Sequence, residues 1–416
     1  MSAAGHHSTE WRRFWPLPFA AALGYSSSVL HVYSLGPFIE PLQREFAWSR
    51  AEVSLGITIA NIGVAIFCAP IGLLVDRFGP RTIGLIGTLL ITMAYALLGT
   101  ANGTITNWVA LWSIVALGAL CVQSPVWTSA VATRFERSRG LAFAVTLSGA
   151  SIGVAVFPAL GTWLIGAYGW RAAFAGMGTL WAAIVIPILL MFFRGAQDTR
   201  GKAQAAQRPD QTSFPGLTWP EGIRTPAFYK LLLAGGLFAF TTIGVVVHFV
   251  PILTDSGATR LSAAAVASLV GIFAIVGRLG TGLLLDRLPG RYVGACAFVV
   301  AIMAYALLLY GDRVVSPSVA AVIIGLTLGA EVDVIAYLAT RHFGLKNFGA
   351  LFGGLVAALA LGAAFGPLGA GATFDHYGTY APFLTLAMVL MGISSVLMAS
   401  LGAPPFGTAR PGLTGR

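Results

Sequence analysis

Twelve predominantly apolar stretches run along this chain, each close to the ~20 residues that cross a bilayer as a helix. They fall at 15–38, 52–75, 82–101, 107–131, 141–166 and 171–193, then at 227–252, 262–285, 292–310, 317–339, 349–373 and 381–402. Between the sixth and seventh lies the one long polar stretch, RGAQDTRGKAQAAQRPDQTSFPGLTWPEGIRTP, rich in Gln, Arg and Pro, which reads as a linker. The pattern predicts an all-α membrane protein of twelve transmembrane helices in two six-helix bundles. The expected boundaries are 1–193 and 227–402 for the bundles, 194–226 for a cytoplasmic linker and 403–416 for a cytoplasmic tail.

Composition points the same way. The chain is 57% hydrophobic and 10% charged, where a soluble protein carries roughly 25% charged residues. The net charge of +10 is not a nucleic-acid signature, because the basic residues fall between the apolar runs. With the N-terminus inside, nineteen of the 25 Lys and Arg lie on that side, including Arg77, Arg81, Arg287, Arg291 and Arg341. Five lie on the other: Arg44, Arg50, Arg171, Arg260 and Arg313. This bias places both termini in the cytoplasm of a cell whose inner membrane holds the protein. The one basic residue left over, Arg278, lies inside the eighth run. Cys68, Cys121 and Cys296 sit in apolar runs and suit small buried hydrophobes better than a disulfide framework.

The chain also repeats itself. GLLVDRFGPR (Gly72 to Arg81) returns as GLLLDRLPGR (Gly282 to Arg291). RGLAFAVTLSGASIGVAVFPALG, preceding AYGWRAAF, returns as FGALFGGLVAALALGAAFGPLGA, preceding HYGTYAPF, with Gly153 matching Gly362 and Pro158 matching Pro367. The second run thus matches the eighth and the fifth the eleventh. Parallel repeats of this kind let transporters place a site at mid-membrane between halves that rock. Asp76 and Asp286 end apolar runs at the cytoplasmic face, where each can accept hydrogen bonds from a helix N-terminus or a loop Arg. Such ties would latch that side shut. The plainer reading is that these residues form turns and obey the charge bias.

Gly-x-Leu-x-Asp-Arg-x-Gly-x-Arg between the second and third runs, echoed between the eighth and ninth, resembles the signature of the major facilitator superfamily. GASIGVAVFP is similar to that superfamily's Gly/Pro-rich fifth helix. The resemblance covers the whole chain. EFAWSRAEVS, YGWRAAF and HFVPILTDSG, followed by GRLGTGLLLDR, are most similar to the bacterial monocarboxylate transporter and oxalate/formate antiporter branch, which usually has Gly where Ala47 stands. The resemblance implies a gating role for Gly72, Asp76, Arg77, Gly79, Arg81, Gly282, Asp286, Arg287 and Arg291. It also implies that Arg278, preceded by Gly277, binds a substrate carboxylate. Two departures limit the transfer. Animal monocarboxylate transporters carry a Lys in the first helix, and here no Lys or Arg lies between Arg13 and Arg44. Oxalate antiporters carry a Lys in the eleventh helix, and the run 349–373 has no charge.

Depth along the helices selects the remaining candidates. Arg278 lies eight residues before Asp286, about 12 Å from the helix end at 1.5 Å per residue. A guanidinium stays charged there and can grip a carboxylate with two hydrogen bonds, or it can be permanently paired to an acid. In the tenth run Glu331 and Asp333 lie at a similar depth but face different sides. Each is a candidate for proton coupling or for an ion pair. Tyr337 shares a face with Asp333. In the first run Tyr25, Ser28 and His31 are candidate substrate contacts, His31 equally a packing residue near the outer end. His248, near the outer end of the seventh run, reads as packing. Gln123 with Ser124 and Trp127, and Thr146 with Ser151, are lining candidates that can equally serve helix–helix hydrogen bonds.

These readings predict a secondary transporter of a small organic monocarboxylate, coupled to protons, because a single intramembrane cation balances a single carboxylate. No P-loop, GxSxG, HExxH or Cys/His cluster is present in the sequence, which argues against a pump or an enzyme and against a cofactor or metal. The expected partners are a small carboxylate, protons and the bilayer; no nucleic acid is expected, and the protein is expected to be a monomer. A dicarboxylate antiporter, an exporter of neutral or drug-like solutes, and a non-transporting sensor on the same fold are the alternatives. A neutral solute would not require Arg278.

Overall fold

The computed structural model describes residues 10–135, 139–195, 216–311, 315–344 and 346–406, with the side chains of 68–73, 76, 139, 140, 286 and 349 outside the description. Among the described residues, ten helical segments are long and apolar enough to cross a membrane. The two departures from the expected twelve have local causes. The fifth and sixth runs merge in one segment, Arg139–Phe192, which breaks at Gly169 with φ 78° and ψ 164°. Gly378, the matching glycine of HYGTYAPF, also has positive φ, 68°, so the repeated phrase marks equivalent turns in the two halves.

The first run is broken up instead of forming one long helix. It consists of α1 (Pro16–Ser26), a 3-10 turn at Ser27–Val29, a helical turn at Leu30–Tyr33 and a second 3-10 turn at Gly36–Phe38, and is followed by α2 (Ile39–Phe46). Its serines explain the break. Ser26 donates to the Leu23 carbonyl at 2.5 Å, Ser28 to Tyr25 at 2.7 Å and Ser34 to Leu30 at 2.5 Å. These hydroxyls compete with the backbone for the helical carbonyls, and such competition bends and loosens helices.

The following helices are α3 (Arg50–Phe78), α4 (Pro80–Leu97), α5 (Ile105–Leu120), α6 (Ser124–Ala132) and α7 (Arg139–Phe192). Then come α8 (Pro226–Val247), α9 (Phe249–Asp255), α10 (Arg260–Arg287), α11 (Gly290–Tyr310), α12 (Ser316–Phe343), α13 (Phe348–Tyr377) and α14 (Ala381–Ala399). Buried apolar side chains form two clusters. One draws on residues 17–193 with Ile243 and Val247, the other on 228–401 with Val154. The two repeated signature turns lie at one end of the bundle, here the signature end. The α2–α3 turn, Gly169, the end of α9 and Gly378 lie at the far end. One sequence reading is corrected: Cys296 is exposed on the surface of α11 rather than buried, and Cys121 is half-buried.

Among the described residues, Ala47 is the one non-glycine residue with positive φ, at φ 57° and ψ 24°. It ends α2 in the left-handed conformation, with its N–H bonded to the Gln43 carbonyl at 3.0 Å. This is the position where the resembling branch has glycine. A Cβ in that conformation costs roughly 1–2 kcal/mol. Ala47→Gly should therefore stabilise the protein by about 1 kcal/mol, read as a higher unfolding midpoint in detergent; an unchanged or lower midpoint would show that the turn carries no strain.

Candidate functional site

Small residues bring Arg278 to its counter-charge. A Cβ on Gly325 would lie 2.4 Å from the Val270 carbonyl oxygen, and one on Gly329 only 2.0 Å from that of Ala274 and 2.8 Å from the Arg278 nitrogen. So the face Gly325–Gly329–Asp333 of α12 lies directly against Val270–Ala274–Arg278 of α10, as small-residue spacing allows in membrane helices. This register sets Arg278 Nη1 3.6 Å from Asp333 Oδ1. The pair is loose. The distance exceeds a hydrogen bond, and the buried Nε of Arg278 has no hydrogen-bond partner. The Arg278 side chain is 11% exposed and that of Asp333 26%.

Glu331, two residues away, points elsewhere. It is buried, and its Oε1 has no hydrogen-bond partner. Tyr33 lies within electrostatic reach of Glu331, Tyr25 and Arg278, and Tyr305 within reach of Glu331. Tyr305 in turn shares a hydrogen bond of 2.9 Å with Thr242. The structure thus separates the two acids: Asp333 faces the cation, while Glu331 sits among tyrosines.

The other candidates are dispersed. Ser28 spends its hydroxyl on the Tyr25 carbonyl. His31 is buried, edge-on to Trp112 with ring centroids 6.2 Å apart, and neither ring nitrogen has a partner. Gln123 stands in the break between α5 and α6 and donates to the Ala119 carbonyl at 2.9 Å. Tyr337 lies one helical turn from Asp333 toward the signature end, against Gly290 and under the Arg341 guanidinium.

At the signature end, the surroundings of Gly72, Asp76 and Asp286 lie outside the described side chains. Gly79 forms the α3–α4 turn with φ 84°. Arg77 and Arg287 are exposed, as is Gly282. Arg81 and Arg291 play matching roles. Arg81 donates to the Leu190 carbonyl in the last turn of α7 at 2.7 Å, and Arg291 to the Leu401 carbonyl beyond α14 at 2.9 Å. The last carbonyls of a helix lack intrahelical partners and attract cations. Each signature thereby ties its own half together.

Ties between the halves gather at the far end, around a residue that the sequence presents only as a loop cation. Arg50, at the first position of α3, makes two bonds to Asp255 at the end of α9: Nη1 to Oδ2 at 2.7 Å and Nη2 to Oδ1 at 3.1 Å. Nη1 also donates to the Tyr380 hydroxyl at 2.6 Å, and the guanidinium lies 3.6 Å from the Phe374 ring centroid. Asp375 accepts from the backbone N–H groups of Arg50 and Ala51 at 2.8 and 2.9 Å. The start of α3 is thus capped by a carboxylate from the opposite half, while Ser49 and Glu52 complete a capping box. His248, a packing residue by sequence, joins the lock: its ring nitrogens contact Tyr380 at 2.7 Å, the Pro367 carbonyl at 2.9 Å and Ser54 at 3.2 Å. One turn deeper, Thr58 donates to the Ala364 carbonyl at 2.7 Å. Arg260 bridges to Glu40 at 2.9 Å, and Glu40 also pairs with Arg44. The signal for this lock is present in the sequence. EFAWSRAEVS and HFVPILTDSG supply Arg50, His248 and Asp255, HYGTYAPF supplies Tyr380, and Asp375 immediately precedes it.

The hydrogen bond from Arg260 holds the Glu40 carboxyl below its ordinary range. That bridge is therefore fully formed above the ordinary carboxylate pKa and is lost only as pH falls through the lowered one. Charge-assisted hydrogen bonds contribute roughly 1.5–3 kcal/mol each. Asp375→Asn or Arg50→Gln should therefore open the far end on the order of tenfold more often. In a Thr58→Cys background with the native cysteines replaced, a membrane-impermeant thiol reagent applied from the far end should label correspondingly faster. Equal labelling with and without the lock would show that these bonds do not hold the far end closed.

Comparison with known proteins supports the same architecture. Residues 21–344 match the family model described as Major Facilitator Superfamily. The chain is 27% identical over 374 residues to monocarboxylate transporter 13 of Rattus norvegicus, covering 88% of this chain and 83% of that protein. It is 28% identical over 372 residues to the chloramphenicol resistance protein of Streptomyces lividans, covering 85% of this chain and 89% of that protein. A match to an uncharacterized MFS-type transporter, YcxA, of Bacillus subtilis is 24% identical over 260 residues and spans 62% of this chain and 61% of that protein. The fold is shared with the crystal structure of a bacterial homolog of the human lysosomal transporter Spinster in an inward-facing and occupied conformation, with a TM-score of 0.70, 18% identity, and coverage of 92% of this chain and 94% of that one. A multi-pass helical chain with a matched repeat, two buried cores and a family match over most of its length belongs to the major facilitator superfamily.

Proposed function

We propose that the protein is a secondary active transporter that carries a small organic monocarboxylate by alternating access, coupled to proton movement. The observation that carries this reading is the loosely held Arg278: a buried guanidinium with an unpartnered Nε and one acid at 3.6 Å. A substrate carboxylate satisfies it better than Asp333 does, because a bidentate pair supplies two short charge-assisted bonds. Protonation of the displaced Asp333, or of Glu331, then keeps the buried charge balanced. The charge bias of the loops supports a signature end facing the cytoplasm, with both termini, in the cytoplasmic membrane. In that orientation the far end is the outer gate, and the conformation described is closed to the outside. Asp76 and Asp286 take part in the opposite gate, so Asp76→Asn and Asp286→Asn slow turnover more than they weaken binding.

The similarity to monocarboxylate transporter 13 supports the carboxylate reading. The similarity to the chloramphenicol resistance protein favours a second one, export of a drug-like solute, in which Arg278 and Asp333 remain a structural pair.

Uptake into proteoliposomes distinguishes the two. A panel of radiolabelled monocarboxylates should include one whose uptake an inward proton gradient accelerates. Arg278→Gln should weaken its binding by at least about 30-fold, equivalent to roughly 2 kcal/mol. Carboxylate uptake that survives Arg278→Gln unchanged would overturn the site, and uptake indifferent to the proton gradient would overturn symport.

A further inference from the structure

The geometry points to His248 as a proton switch: protonation of its ring from the far side releases the lock that joins the two halves. The ring is buried and meets three elements. Its Nε2 lies 2.9 Å from the Pro367 carbonyl of α13 and 3.2 Å from Ser54 Oγ of α3, and its Nδ1 lies 2.7 Å from the Tyr380 hydroxyl just before α14. These partners leave one tautomer. A carbonyl oxygen only accepts, so Nε2 carries the hydrogen. In the neutral ring Nδ1 is then bare, and the Tyr380 O–H donates to it. The Tyr380 oxygen in turn accepts from Arg50 Nη1 at 2.6 Å. One directed chain of bonds therefore runs from Arg50 of one half through Tyr380 and His248 to Pro367 of the other.

A second ring proton is incompatible with that chain. Nδ1–H would meet the Tyr380 O–H donor to donor. Turning the hydroxyl away puts the donors of two cations, imidazolium and guanidinium, on one phenol oxygen. The neighbouring charges do not relieve this. Asp255, at the end of α9, gives both oxygens to Arg50, and Asp375 of α13 gives both to the backbone N–H groups of Arg50 and Ala51. His376, at the end of α13, is exposed and stands edge-on to Tyr377, outside the chain of bonds. A charged ring is disfavoured in a buried site where no carboxylate bonds it. Once the halves part, water reaches the ring and it takes a proton at the ordinary histidine value of about 6.5. The neutral ring thus belongs to the closed lock and the charged ring to the open one. The closure that His248 supports is complete well above about pH 6.5 and is lost as pH falls through and below that value. Carboxylates ordinarily titrate near pH 4, and Glu40 in its bridge to Arg260 lower still, so the window belongs to the histidine. In the orientation proposed above, acid outside the cell opens the outer gate.

The inference rests on the alternating-access part of the proposed function and on no substrate. Its test contains no carboxylate, so its failure and a failure of the Arg278 site are told apart. Double electron–electron resonance between spin labels at Asn102 and Tyr310, exposed far-end positions on opposite halves, reads the switch in the full-length protein. From about pH 7.5 to about pH 5.5 the ratio of the longer to the shorter population should rise about tenfold. That is the factor for a ring of ordinary pKa whose charged form is confined to the open state. His248→Gln keeps an N–H for the Pro367 carbonyl but takes no proton, and its ratio should stay constant over the same range. A wild-type ratio indifferent to pH, or the same rise in His248→Gln, would overturn the proposal. A second measurement needs no substitution. With histidine labelled in ¹⁵N and proline in ¹³C at the carbonyl, the ring nitrogen that couples to a proline carbonyl identifies His248 in solid-state NMR spectra. At about pH 7.5 that nitrogen should be protonated and the other nitrogen of the same ring bare. A protonated second nitrogen at that pH would overturn the switch, because the charged ring would then already belong to the closed lock.

Discussion

A guanidinium buried in a membrane protein must keep a counter-charge in reach, because bare charge in that environment costs several kcal/mol. Arg50 and Arg278 are two such groups among the described residues, and they are held in opposite ways. Arg50 has two bonds to Asp255, one to Tyr380 and an aromatic face against it. Arg278 has a single acid beyond hydrogen-bond distance. The first arrangement is a closed lock joining the halves; the second leaves bonding capacity for an incoming anion. The proposed mechanism follows from that contrast, since one cation keeps the far end shut while the other is free to exchange partners.

The rest of the fold serves these two points. Within each half, the last Arg of the signature holds the free carbonyls at the end of that half's final helix, so α4 is tied to α7 and α11 to α14. Lys230 adds a bond of 2.7 Å to the Ser400 carbonyl. In the proposed alternating access, halves braced in this way would move as bodies, and the far-end bonds between them are short and polar. Glycine contacts between α10 and α12 set Arg278 against Asp333, so the charge proposed to meet the substrate is positioned by backbone packing and not by loops.

Much of this is legible in the sequence, for identifiable reasons. Long apolar runs dictate membrane helices, and the phrase repeated around Gly169 and Gly378 points to equivalent turns. Arg278 stands out because a lone cation inside an apolar run is too costly to keep without a partner or a ligand. The broken first run is not legible, because its serines count as tolerable in hydropathy while their hydroxyls compete for helical carbonyls. Arg50 escapes notice because a cation at a helix start looks like any loop charge. Its partners Asp255, Asp375 and Tyr380 lie more than 200 positions away, and only the fold brings them together. His248 reads as packing for the same reason, since its partners come from both halves. The two acids on α12 can be separated by helical phase, but which of them faces Arg278 depends on the neighbouring helix.

In the proposed mechanism, breaking the Arg50 lock and exposing Arg278 to the far side are one conformational event. Spin labels at Asn102 and Tyr310, exposed far-end positions on opposite halves, would report it through double electron–electron resonance. One short distance is expected in the wild type, and a second, longer population in Asp375→Asn, whose fraction changes when a transported monocarboxylate is added. A single unchanged distance in the wild type and the variant, with and without the carboxylate, would refute the coupling of lock and site.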